Sequence, residues 1–188
     1  MKRVAIFGGT FDPVHLGHIE LVKRARELID LQQVLFMPCW QSPFKGRTVA
    51  SGEERFEMLQ IAIQEQEVGI WTEVSDYEIT RPGPSYSWQT AQFFTEQYPD
   101  TEWFWILGTD QWKQIDQWAE PDKLRALLQF IVVTRNHEEV QTRDGWSHSP
   151  ISFSHPASAT KIRNDFAKYH HWLSPGVIDF CEKRKLYA

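Results

Sequence analysis

Two histidines three residues apart, His15 and His18, close the run "GGTFDPVHLGH" at residues 8–18. The run follows the apolar stretch Val4 to Phe7 and leads into a helix-like one. Imidazoles at i and i+3 in a first helical turn lie on one side and can point at a single anion. The helix start adds unpaired N–H groups and the positive end of the dipole, which favour a phosphate. Gly8 and Gly9 let the backbone turn sharply and bring a ligand close to peptide N–H groups, while Gly17 keeps the helix flank low enough for a bulky ligand to lie across it. The stretch reads as a phosphate cradle with two imidazole donors. A strand–glycine–helix turn without a ligand is the plain alternative. A zinc site is another, but no HExxH glutamate stands between the histidines and no third ligand has an obvious spacing. GxGxxG after the strand, GxxxxGK[ST] and GxSxG are all missing, which sets aside the usual dinucleotide, P-loop and hydrolase readings.

The elements around this stretch alternate. Val4 to Phe7 reads as a strand and Leu16 to Ile29 as a surface helix, with Leu21, Val22, Ala25, Leu28 and Ile29 at helical spacing. A second strand, Val34 to Met37, runs into a loop from Pro38 to Gly52. Ser51 and Glu54 then form a capping box before a helix carrying Phe56, Leu59 and Ile63. Strands follow at Gly69 to Val74, Trp103 to Leu107 and Phe130 to Thr134, with helices at Ser87 to Tyr98 and Lys123 to Leu128 between them. Residues 138–149 read as loop and Ile151 to Phe153 as a short strand. Helices Ser158 to Tyr169 and Pro175 to Lys185 end the chain. Strands separated by helices imply βαβ units. The expected fold is α/β: one Rossmann-like domain over residues 1–188, with a doubly wound, mainly parallel sheet of five or six strands and C-terminal helices. Ligands in such sheets bind beyond the carboxyl ends of the strands, where "GGTFDPVHLGH" stands.

Composition narrows the function classes. The 188 residues are 41% hydrophobic with a formal charge of −5, which suits one compact core and argues against binding nucleic acid through its backbone. Cys39 and Cys181 form no CxxC pair and no disulfide framework. No apolar run approaches the roughly 20 residues that span a bilayer, so no membrane partner is expected. A cytoplasmic location follows as the expectation.

The first motif, His15-Leu16-Gly17-His18, resembles the (H/T)xGH signature of a nucleotidyltransferase superfamily, and "SATKIR" at residues 158–163 resembles its second motif, SSTxIR. With "PGPSYSWQT" (83–90), "LGTDQWKQIDQW" (107–118) and "FCEKRKLY" (180–187), the chain is most similar to the nicotinate-nucleotide adenylyltransferase family along nearly its whole length.

The resemblance implies that nicotinate mononucleotide attacks the α-phosphorus of ATP in line and releases pyrophosphate, a reaction catalysed by positioning and charge neutralisation. His15, His18 and Arg163 are then the catalytic residues, with one imidazole cationic when nucleotide is bound. Gly8, Gly9, Thr10, Phe11, Gly17, Lys45, Gly108, Asp110, Ser158, Thr160 and Ile162 fall to ATP; Ser85, Tyr86, Ser87 and Trp118 fall to the pyridine mononucleotide. Lys161 stands beside Arg163 behind the hydroxyls of the second motif. Mg2+ comes with ATP rather than in a protein metal site.

Three departures stand out. Ala159 replaces the second serine of SSTxIR, Phe44 stands where a PPHK-like run has its histidine, and Ser87 replaces a threonine. Lys45 is kept and Arg47 can supplement it. Nicotinamide mononucleotide as acceptor, alone or with nicotinate mononucleotide, stays open. So do a non-catalytic nucleotide-binding regulator of the same fold and a homo-oligomer.

Overall fold

The apolar runs of the strands are continuous because both faces of the sheet are covered. Along β1 (Lys2–Gly9), Val4 and Ile6 point to one face and Ala5 and Phe7 to the other, and both faces are packed. The structure, a computed structural model, describes residues 1–43, 46, 48–135 and 138–187. Its further strands are β2 (Gln33–Pro38), β3 (Thr72–Val74), β4 (Thr101–Gly108), β5 (Gln129–Thr134) and β6 (His148–Ser152). Its helices are α1 (Leu16–Ile29), α2 (Gly52–Glu65), α3 (Ser87–Gln97), α4 (Thr109–Trp112), α5 (Pro121–Leu127), α6 (Ala159–Asn164), α7 (Phe166–Tyr169) and α8 (Pro175–Arg184).

All strand pairs are parallel, in the order β3-β2-β1-β4-β5-β6. The six-stranded doubly wound sheet is the expected one. Ile19, Val22, Met58, Leu59, Ile162, Val177 and Cys181 cover one face from α1, α2, α6 and α8. On the other face Ala91, Phe94, Trp112 and Leu124 pack from α3, α4 and α5. The chain winds outward from β1 in one direction, then returns to start β4 on its other side. That reversal opens a crevice between the carboxyl ends of β1 and β4.

Local signals placed α1 and α2 closely. Ser51 Oγ accepts the Glu54 N–H at 3.1 Å while Glu54 returns to the Ser51 N–H at 2.8 Å, the expected capping box. Some expected elements differ in their bounds: β6 begins at His148, inside the stretch 138–149 read as loop, and ends at Ser152, because it pairs with β5 from Phe130 to Thr134. The helix expected over residues 158–169 is broken at Asp165, which leaves helical geometry (φ −157, ψ 78) and caps α7 by accepting the Lys168 N–H. The strand expected from Gly69 begins only at Thr72, because 69–71 form the turn that releases α2. Leu28, assigned to the apolar stripe of α1, is 48% exposed.

Candidate active site

At the crevice the glycines act differently from the sequence reading. Gly8 and Gly9 are the last residues of β1 and neither has positive φ; the left-handed residue is Phe11 (φ 49), whose ring is buried in the core. A Cβ on Gly8 would come within 2.8 Å of the Trp105 ring, so the glycine is there for close packing rather than for a sharp turn. Asp12 follows, 3% exposed. Its carboxylate accepts the N–H groups of Val49 (2.8 Å) and Ala50 (3.1 Å) and the Tyr187 hydroxyl (2.6 Å). These bonds anchor the loop that delivers His15.

His15 caps α1 and His18 stands one turn in, their rings stacked with centroids 3.7 Å apart. His18 is half-buried against Phe11 (5.1 Å) and Phe7 (5.9 Å), not exposed as first-turn position suggests. Its Nδ1 accepts the His15 backbone N–H at 3.1 Å, so in the neutral ring the proton sits on Nε2 and that nitrogen is the donor. Burial, and after it the neighbouring His155, push the His15 pKa down to about 4. The ligand-free site therefore keeps His15 neutral, and a cationic ring there requires the negative charge of a nucleotide. His15 Nδ1 is itself buried without a protein partner.

Sequence reasoning missed His155, whose ring covers the low flank made by Gly17: a Cβ there would meet His155 Nδ1 at 2.9 Å and His15 Nδ1 at 3.1 Å. His155 Nδ1 accepts the Ala157 N–H at 3.1 Å. The flank is thus occupied by an imidazole of this chain. Only its position just before the second motif hinted at this.

The second motif meets the first. Arg163 Nη1 donates to the Asp12 carbonyl at 2.6 Å and Nη2 to Thr160 Oγ1 at 3.3 Å, so the guanidinium spans from α6 to the loop that carries His15. Ser158 caps α6, its Oγ accepting the Lys161 N–H at 3.4 Å. Thr160 is exposed and Ala159 half-buried. Ile162 offers a nucleotide little: its side chain is 0% exposed in the core and its amide is bonded to the Ser158 carbonyl at 3.0 Å. It seats the helix instead. Lys161 lies over the Trp172 ring at 5.9 Å, the ordinary surface role.

Beside Gly8, Gly9 and Thr10 opens a cavity of about 300 Å³ that also takes in Ser85, Tyr86, Ser87, Trp105 and Trp118. All four residues expected to hold the pyridine nucleotide line it. Gly83, at φ 113 where a side chain is strained, turns the chain so that Ser85 pairs with the neighbouring loop: its amide donates to the Gln41 carbonyl and its Oγ accepts the Trp40 N–H, both at 3.0 Å. Tyr86 is the N-cap of α3, which carries no acidic residue in its first turn. Gln111 and Gln117, not singled out from sequence, add amides to the wall. So does Glu78, 6% exposed, which accepts the Thr90 hydroxyl at 2.6 Å; burial pushes its pKa up to about 6, against the lowering effect of hydrogen bonds from the Thr90 and Ser85 hydroxyls. Gly108 ends β4 with open space beside it, and Asp110 is exposed on α4, outside the cavity wall. Phe44, Lys45 and Arg47 lie outside the described residues. Among the described residues no three His, Cys, Asp or Glu side chains are placed to hold a metal ion, and no helix is long and apolar enough to cross a membrane.

Fold and site together define an α/β protein with a cavity and two histidines gathered at the switch point of a parallel sheet. Residues 6–165 match the cytidylyltransferase-like family. A relative from Methylacidiphilum infernorum (isolate V4), named "Probable nicotinate-nucleotide adenylyltransferase", is 38% identical over 98% of this chain and 92% of its own. One of the same name from Shouchella clausii (strain KSM-K16) is 32% identical over 100% and 98%. In structure the chain is similar to the Plasmodium falciparum nicotinic acid mononucleotide adenylyltransferase complexed with NaAD, with a TM-score of 0.82 at 20% identity, covering 100% of this chain and 98% of that one. The chain belongs to the cytidylyltransferase-like family, alongside relatives that carry the nicotinate-nucleotide adenylyltransferase name.

Proposed function

We propose that this protein transfers the adenylyl group of ATP to nicotinate mononucleotide, forming nicotinate adenine dinucleotide and pyrophosphate. A phosphate oxygen of the mononucleotide bonds to the α-phosphorus of ATP as the bond to the β-phosphate bridging oxygen breaks, and pyrophosphate carries away the charge. The supporting observation is the meeting of the two motifs: Arg163 bonded to the loop of His15 and His18, next to a cavity bounded by Ser85, Tyr86, Ser87 and Trp118.

His18 Nε2–H and the Arg163 guanidinium neutralise charge on the transferring phosphoryl group and on the leaving pyrophosphate. Ser158, Thr160 and the start of α6 hold the β- and γ-phosphates, and Thr10 with the end of β1 borders the reacting centre. Trp118 stacks on the pyridine ring, and the start of α3 directs N–H groups and the Ser87 hydroxyl toward the acceptor carboxylate. The donors here are imidazoles, hydroxyls and amides, which suits a divalent ion arriving on ATP and supplying further charge neutralisation. Pyridine-nucleotide synthesis from soluble substrates is consistent with a cytoplasmic enzyme.

Glu78 favours a second reading, because a carboxylate in the cavity wall accepts hydrogen bonds from an amide and repels an acid. Pyrophosphate release measured with ATP, Mg2+ and each mononucleotide in turn decides. The expected result is a higher kcat/KM with nicotinate mononucleotide. Preference for the amide substrate overturns the choice of acceptor, and no release with either overturns catalysis itself in favour of a nucleotide-binding regulator.

A further inference from the structure

Arg55, on α2, is 1% exposed and yet makes no ion pair among the described residues. Its Nη1 donates to the Thr10 carbonyl at 2.7 Å, its Nη2 to the carbonyls of Cys39 at 2.7 Å and Trp40 at 3.5 Å, and its Nε is buried without a partner. Three buried or neighbouring acids bond elsewhere: Glu54 to the Ser51 amide, Asp12 to Val49, Ala50 and Tyr187, and Glu78 of the cavity wall to the Thr90 hydroxyl. A guanidinium keeps its charge, and a buried charge is ordinarily paired. Here the three carbonyls belong to two loops, one after β1 and one after β2, and Thr10 and Cys39 both line the cavity.

We infer that Arg55 is a positioning residue that readies the cavity for the phosphate of its ligand, by tying the two loops together and holding an uncompensated positive charge directly behind them. Its attraction reaches the ligand through the peptides it holds. A cation on the Thr10 carbonyl strengthens the N–H of Phe11 across the same peptide, and one on Cys39 strengthens the Trp40 N–H that meets Ser85 Oγ at 3.0 Å. An anion in the cavity supplies an opposite charge to a guanidinium that forms no ion pair among the described residues. The class of ligand favoured is therefore a phosphomonoester over the corresponding nucleoside. This rests on the acceptor reading above only for which nucleotide is tried first.

The test compares binding of nicotinate mononucleotide and of its dephosphorylated riboside, by calorimetry, to the wild type, Arg55→Met and Arg55→Lys. Removing the charge should weaken the mononucleotide about tenfold or more and the riboside by less than about twofold, with Arg55→Lys falling between. Equal losses for both ligands, or none, overturn the inference and leave Arg55 a structural strut. The unaltered protein supplies an arm that needs no variant to fold: the 15N resonance of Arg55 Nε should move with the mononucleotide and stay with the riboside. Equal movement with both, or none, counts against the inference. If the wild type binds neither ligand, the acceptor reading fails on its own, and AMP against adenosine carries the same comparison with the same outcomes.

Discussion

His18 holds its Nδ1 against the amide of His15 and packs its ring between that histidine and Phe11, so the direction of its Nε2 is set by the helix cap rather than by exposure. His18→Ala should lower kcat by ~10²–10³, the size of losing one transition-state donor. It should also lower the melting temperature, because the ring is part of the packing; calorimetry beside steady-state rates separates the two effects. His15 and Glu78 make opposite contributions to stability against pH. His15 has a folded pKa of about 4, below its ordinary 6.5, so its stabilisation is complete above pH 6.5 and is lost as pH falls toward 4. Glu78 has a folded pKa of about 6, above its ordinary 4.5, so stability falls as pH rises from 4.5 to 6. The shifts correspond to about 3 and about 2 kcal/mol, so the wild type should show a shallow net slope. Denaturant unfolding of His15→Ala should fall with pH across that window, and Glu78→Gln should rise. A wild-type-like slope in both contradicts these assignments.

At the scale of elements, β1 and β4 form the crevice and their contact is set by a glycine and a tryptophan. The Gly8→Ala methyl would stand 2.8 Å from a Trp105 ring that is buried and lines the cavity. The ring must give way against the cavity it lines, so the substitution should cost about 1–3 kcal/mol and raise the acceptor KM more than that of ATP. Unfolding and two-substrate kinetics check both. The apolar periods and caps gave α1, the start of α2 and β5 almost to the residue and the central four residues of β1, since each was read from near neighbours along the chain. The helix after Ser158 was misread because its period continues through Asp165; the break depends on that aspartate bonding the Lys168 amide. The candidate site was legible where backbone motif and chemistry coincide, at His15, His18, Ser158, Arg163 and the Ser85–Trp118 wall. Arg55 was not: it occupies the buried stripe of α2 with Met58, Leu59, Ala62 and Ile63, where a charged residue reads as the solvent side.

At the scale of the molecule, the last turn of the chain closes on the first loop. Tyr187, 6% exposed, donates to the Asp12 carboxylate, and burial together with that bond pushes the phenol pKa upward. Tyr187→Phe leaves a buried carboxylate one donor short and should cost about 1.5–3 kcal/mol of unfolding free energy. Because Asp12 also anchors the loop before His15, kcat should fall with it. An unchanged kcat beside lost stability would confine Tyr187 to the fold.

By itself the sequence determined the alternation of strands and helices, the caps, and two short motifs with the residue types for phosphate chemistry, because those depend on backbone preference and side-chain period over a few residues. Tertiary structure alone decided that β1 and β4 lie side by side. It put Arg163 on the Asp12 carbonyl, laid His155 over Gly17, buried Glu78 in the cavity wall and left Arg55 charged in the interior. The environment of a polar group is set by whichever distant segment packs against it, and no local pattern in the chain records that partner.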